Sequence, residues 1–249
     1  MNKLSISFSD AQIRALNIPT NWDEFNLSSI SKSASTKDDD LGSFDDFDLK
    51  EAITKNPEHL FVKVFAIREN EMNDNGDFFS TSELKKAVKT FIGVPVFVNH
   101  QNDDVEKARG KVVHAWFDEK KGGIYTINMV DKVAYPRLAR GIETGVITGT
   151  SMGCSVSHSL CNICHNFATT AKDFCSHIKE RKKKQFSGDH ECRYHENGNL
   201  DQCPICGSKK KENKKSKHKD QTIFEYNYGV KFIEDSFVVN PACQDCVVS

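Results

Sequence analysis

No run of about eighteen apolar residues occurs in this chain, so nothing in it reads as a membrane-spanning helix. Nor does the N-terminal stretch read as a secretory leader. Met1 to Phe8 alternates between polar and apolar residues and has no long apolar stretch. The expected setting is therefore a reducing cytoplasm. No repeat recurs at a solenoid period. Net charge is nearly absent, at −1 over 249 residues. That balance conceals an asymmetry. Residues 1–60 carry eleven Asp/Glu against six Lys/Arg, and residues 179–219 carry thirteen Lys/Arg against six Asp/Glu. An acidic front and a basic block suit oppositely charged partners, or each other.

Cysteine is abundant, and it is clustered. Seven of the nine cysteines fall within residues 154–206, beside five histidines. Without a secretion signal, Cys-x-x-Cys pairs beside His favour metal over disulfides. Cys161, Cys164, Cys175 and His177 form one candidate ligand set. Cys192, His195, Cys203 and Cys206 form a second, with His158, His165 and His190 as substitutes. Four such ligands close a tetrahedral Zn²⁺ shell, which is structural because no position is left open. The block has few large apolar residues, so one or two zinc ions would stand in for a core. Cys243-x-x-Cys246 has no evident partner pair.

The length suffices for one sizeable core plus an inserted module. Four segments are expected: 1–58, acidic and partly disordered; 59–157, the first part of a core; 158–220, the Cys/His-rich basic insertion; and 221–249, closing strands. Residues 26–50, rich in Ser and Asp, read as poorly ordered, with order beginning near Leu60. Phe61 to Ile67 is strand-like. Ser80 and Glu83 fit a capping box that opens a helix. Val96-Phe97-Val98 reads as a short strand ending at His100. Residues 110–118 and 123–131 read as two strands around Lys120-Lys121-Gly122-Gly123. Pro136 opens a helix with Leu138, Ala139 and Ile142 on one face. The fold class is α+β, with a β-rich, barrel-like core, surrounding helices and a small zinc module.

Three pieces carry chemistry: Val98-Asn99-His100, Gly149-Thr150-Ser151-Met152-Gly153, and Glu234-Asp235-Ser236-Phe237-Val238-Val239-Asn240-Pro241-Ala242. They supply a base, a serine flanked by glycines that permit a tight turn, and a carboxylate on a strand. An α/β-hydrolase is excluded. That fold needs βα repeats and the order Ser, acid, His, whereas every His after Ser151 lies in or beside the Cys-rich block.

The stretch from about Asn73 to the C-terminus resembles the tailed-phage prohead (capsid maturation) serine protease family, whose fold is akin to the herpesvirus capsid protease. The resemblance rests on Gly93 to His100, Gly110-Lys111-Val112-Val113, Leu138 to Gly145 leading into Ser151-Met152-Gly153, and the closing Glu-x-Ser-x-Val…Pro-Ala run. It implies His100 as general base, Ser151 as nucleophile, and backbone N–H groups near Ser151 and Met152 as oxyanion donors. Herpesvirus relatives place a second His at the third position, and phage relatives often an acid. Glu234 matches here, with the insertion explaining its distance from Ser151. Asp235 points to the other strand face. His114, Asp118 and Asp131 are weaker candidates. Cys154, a rival nucleophile, reads as a small packed side chain.

The resemblance further implies scaffold and major capsid proteins as substrates, cleaved inside the immature capsid in the host cytoplasm, and it allows a homo-oligomer. Some such proteases process themselves after Glu, and Leu49-Lys50-Glu51-Ala52 has the expected form. The rival reading is a non-catalytic zinc-dependent scaffold or nucleic-acid-binding protein. The basic block lacks aromatic interleaving and an evident recognition helix, so nucleic acid is not the favoured partner.

Overall fold

A computed structural model describes residues 42–198, 201–212 and 214–248. Most of the acidic N-terminal segment lies outside them, as does Leu200. The chain is α+β with strands predominating, and it divides into two compact units. Among the described residues no helix is long and apolar enough to cross a membrane.

Unit 1 takes residues up to Ile67, Ala87–Ser155 and Phe232 onward. Its strands are β1 (His59–Arg68), β3 (Pro95–Val98), β4 (Gly110–Asp118), β5 (Gly123–Asp131), β6 (Thr150–Ser155) and β12 (Lys231–Phe237). They form one curled, half-barrel sheet in the order β1-β5-β4-β3-β12-β6. The β4–β5 hairpin is antiparallel, and β12 pairs parallel to β3 with Ser236 opposite Phe97. The C-terminal residues join both edges: Val248 bridges Val64 of β1, and Val247 bridges Gly149 just before β6. Cys243 and Cys246 are disulfide-bonded to each other, which gives the unassigned pair its partner.

The first described residues of unit 1 depart from the expected disorder. Residues 44–46 form a short 3-10 helix, and α1 (Leu49–Lys55) follows, with the Asp48 side chain accepting from Glu51 N at its N-cap. Phe47 and Ala52 are buried in a cluster with Phe65, Trp116, Tyr125 and Met129. Apolar residues too sparse to make a core alone thus complete one built by β1, β4 and β5. The expected self-cleavage point Leu49 to Ala52 is consequently helical, not extended, with its Ala52 packed away.

Unit 2 takes Arg68–Lys86 and Val156–Lys231. It contains β2 (Asp77–Phe78), β7 (His158–Cys161), β8 (Phe167–Ala168) and β11 (Glu225–Tyr228) in one sheet, order β2-β11-β7-β8, and the hairpin β9 (Gln185–Glu191) and β10 (Lys215–Thr222). Residues 68–86 and β11 therefore belong with the Cys/His-rich stretch, not with the core segments that the linear partition gave them to. A partly buried ion cluster ties them in. Lys182 Nζ pairs with Asp77 at 2.7 Å and with Glu225, whose other oxygen accepts from Ser159 Oγ at 3.0 Å. The helix α2 (Thr81–Ala87) begins with half of the expected capping box. Glu83 N donates to Ser80 Oγ at 3.4 Å, while the Glu83 carboxylate accepts from Gly229 N at 2.7 Å.

Candidate active site and metal centres

His100 reaches the site through a turn. Gln101 N donates to Val98 O at 3.2 Å, and the two central residues, Asn99 and His100, have φ of 53° and 55°. Positive φ at both central positions marks a type I′ turn, a conformation that costs non-glycine residues free energy and concentrates at functional sites. The turn brings the ring back over β12. Nδ1–H donates to Glu234 Oε1 at 2.6 Å, so Nε2 is the nitrogen left for other work. Glu234 is 1% exposed. Its second oxygen accepts from Ser236 Oγ at 2.6 Å, and Ser236 Oγ accepts from His100 N at 3.3 Å. The bond to Glu234 raises the His100 pKa above 6.5, against the opposing effect of burial.

Ser151 is delivered by a strand, not by the tight turn expected from its glycines. Val238 N donates to Gly149 O at 2.9 Å, and a Cβ on Gly153 would lie 2.7 Å from Glu234 Cγ. Those two pairs set an antiparallel register, and midway between them Ser151 falls opposite Ser236. Residues opposite each other share a sheet face, so Ser151, Ser236, Glu234 and the bare Gly153 lie on one side. Both glycines serve close approach. At Gly153 the Glu234 carboxyl fills the space that a side chain would need, and at Gly149 a Cβ would lie 2.6 Å from Val238 O. Alternation along β6 also assigns the N–H groups. Thr150 N points away from β12 and donates to Cys246 O at 3.0 Å. Met152 N points the same way, while Ser151 N faces β12.

The other candidate partners are occupied elsewhere. Asp235 is fully buried on the opposite face, accepting from Asn128 Nδ2 at 2.8 Å and from Ser236 N at 2.9 Å, and burial pushes its pKa up to about 7. His114 stacks on Phe47 and Trp116 and donates to Ser43 O at 2.8 Å. Asp118 and Asp131 each accept two backbone N–H groups in turns. Cys154 is partly buried.

In unit 2, two groups of side chains could each hold a metal ion. Cys161, Cys164, Cys175 and His177, all buried, bring one ligand atom each to within 4.8 Å of one another. So do His165, Cys192, Cys203 and Cys206. The second group corrects the expected set. His195 instead donates from Nε2 to Ser208 O at 3.2 Å, bracing the loop that carries Cys206. His165 takes its place, with Nδ1 3.5 Å from Cys203 Sγ. Proximity in sequence favoured His195, which sits three residues after Cys192, whereas His165 lies 27 residues before it. Left-handed backbone at His165, φ 56°, ends the Cys161–Cys164 loop and turns the next ring to the other group.

The chemistry of the first donor set fits a cation. Cys164 is pushed up by its hydrogen bonds with Cys161 and Cys175 and by burial. Cys161 reaches about 12, since the bond with Cys164 works downward but the bond with Cys175 and burial outweigh it. Cys175 is held low by accepting from both. Three packed thiols cannot all ionise unless a positive ion joins them, and zinc–thiolate coordination supplies it. Both imidazoles are suitably neutral. Burial pulls His165 down to about 4 and also lowers His177.

No protein-family model matches the chain, and comparison with curated proteins and with solved structures returns no match.

Proposed function

We propose that the protein is a serine endopeptidase of the prohead-protease type, cleaving scaffold and capsid proteins within an immature capsid in the host cytoplasm. The observation that carries this reading is the Glu234–His100 bond at 2.6 Å, made on the sheet face that Ser151 shares. Glu234 fixes the ring with Nδ1 protonated, so Nε2 takes the Ser151 proton as Oγ attacks a peptide carbonyl. The buried carboxylate then stabilises the imidazolium. Met152 N–H, pointing away from β12, is the better oxyanion donor, because Ser151 N–H faces the ladder. Returning the proton through Nε2 releases the amine, and water repeats the cycle on the acyl-enzyme.

Zinc held by Cys161, Cys164, Cys175 and His177 and by His165, Cys192, Cys203 and Cys206 would take no part in these steps and would brace unit 2. A second reading, a non-catalytic zinc-dependent scaffold or nucleic-acid binder, is favoured by the two Cys/His groups alone. The β9–β10 hairpin gives it little support, because its three lysines, Lys215, Lys217 and Lys219, are balanced by Asp189, Glu191 and Asp220, and Lys215 pairs with Glu191 across the ribbon at 3.4 Å. A serine-reactive fluorophosphonate separates the readings. The enzyme should be labelled at Ser151, and Ser151→Ala should lose both the label and the cleavage of capsid proteins. A Ser151→Ala variant that still processes capsid proteins would rule the enzyme reading out.

A further inference from the structure

We propose that Ser236 is a positioning residue that locks the Glu234–His100 pair, a role that rests on the protease reading of the same site. Three observations converge on its hydroxyl. Its hydrogen goes to Glu234 Oε2 at 2.6 Å. Its oxygen accepts from His100 N at 3.3 Å. It is 1% exposed, so water cannot take over either bond. One small group thus holds the carboxylate by one oxygen and the base by its backbone.

The geometry requires such a clamp. A carboxylate with one oxygen on His100 and the other unbonded could rotate about its terminal torsion, which is broad for Glu. A second bond removes that freedom, and a buried anionic oxygen without a donor is costly. The His100 backbone needs restraint as well, because its φ of 55° is a conformation that the chain leaves unless something holds it. Valine or alanine at 236 would fill the strand position equally well, so strand formation does not explain a hydroxyl here. Nor is Ser236 a rival nucleophile, since its proton is already committed to a buried carboxylate.

The test uses the full-length protein and Ser236→Ala, which removes one oxygen and no apolar contact. Two measurements are made. The first is the rate of Ser151 labelling by a fluorophosphonate in wild type, Ser236→Ala, Glu234→Ala and the double variant. Ser236→Ala should slow labelling on the order of tenfold to a hundredfold, the cost of a loosened catalytic group. If Ser236 acts through Glu234, the double variant should be no slower than Glu234→Ala. Equal labelling in Ser236→Ala and wild type, or fully additive losses, would overturn the proposal.

The second measurement is the NMR resonance of the His100 Nδ1 proton, which needs no turnover. Wild type should show it far downfield, as a short bond to a carboxylate does. Ser236→Ala should move it upfield or lose it to exchange, and an unmoved resonance refutes the clamp. Wild type that resists labelling at Ser151 but shows the Ser236-dependent resonance would count against the protease reading, with the clamp intact.

Discussion

Glu234 stands in the space that a side chain at position 153 would need, so the smallest substitution in the site is also among the most damaging. Gly153→Ala would drive a methyl into the carboxyl, with Cδ at 3.0 Å from the new Cβ. Labelling of Ser151 should fall on the order of a hundredfold while the metal content stays at wild-type level. Elemental analysis and labelling on one preparation check both halves. The same carboxylate sets the pH response. His100 is raised above 6.5, chiefly by its bond to Glu234, and it must be neutral to act as a base. Activity should therefore rise with pH through a midpoint above 6.5, and Glu234→Gln should move that midpoint down. A rate profile with the same midpoint in both proteins would separate the base from Glu234.

At the scale of elements, the strands were the most readable part of the sequence. β4, β5 and the end of β3 at Val98, two residues before His100, follow from alternation and turn residues alone, as does the proline-led helix over Pro136–Glu143. Three features were not legible, for a common reason. The helix at Leu49–Lys55, the strand setting of Ser151 and the choice of His165 over His195 all depend on partners distant in sequence. Local pattern reports what a segment can do alone, and here tertiary neighbours decide. The metal groups sharpen this. Cys164 and His165 are adjacent in sequence yet serve different groups, so one peptide bond ties both centres. His165→Gly keeps the left-handed backbone at no steric cost and removes one ligand. It should halve a two-zinc content, whereas His195→Ala should leave the content unchanged. Metal-to-protein ratios that fall equally in both variants would return His195 to the ligand set.

For the molecule as a whole, stability should respond to pH and to chelation in separable ways. Asp235 titrates near 7 in the fold against an ordinary 3.8, because burial disfavours its charge. A raised carboxyl value contributes stability below 3.8 and loses it as pH climbs towards 7. Asp235→Asn should flatten the decline across that window in a melting series. Chelation should act on unit 2, where the candidate ligand thiols sit inside its two small apolar clusters. Amide exchange should accelerate over residues 156–231 and hold steady in β4 and β5. Exchange that rises equally in both regions would show that the metal supports more than its own unit.

The order in which the ribosome releases these parts has a bearing on when cleavage can begin. His100 and Ser151 emerge early, but the carboxylate that orients the base sits on β12, beyond the whole of unit 2. The disulfide-bonded strap that bridges both edges of the sheet emerges later still. On the protease reading, a nascent chain carrying the serine and the histidine but not yet β12 would lack the carboxylate that orients the base, and should be inert towards its neighbours. In the protease reading, competence would wait for β12 and the strap, both of which follow the Cys/His-rich unit in the chain. Chains truncated after Lys231 should consequently be unreactive towards the fluorophosphonate, while chains ending at Val248 should react.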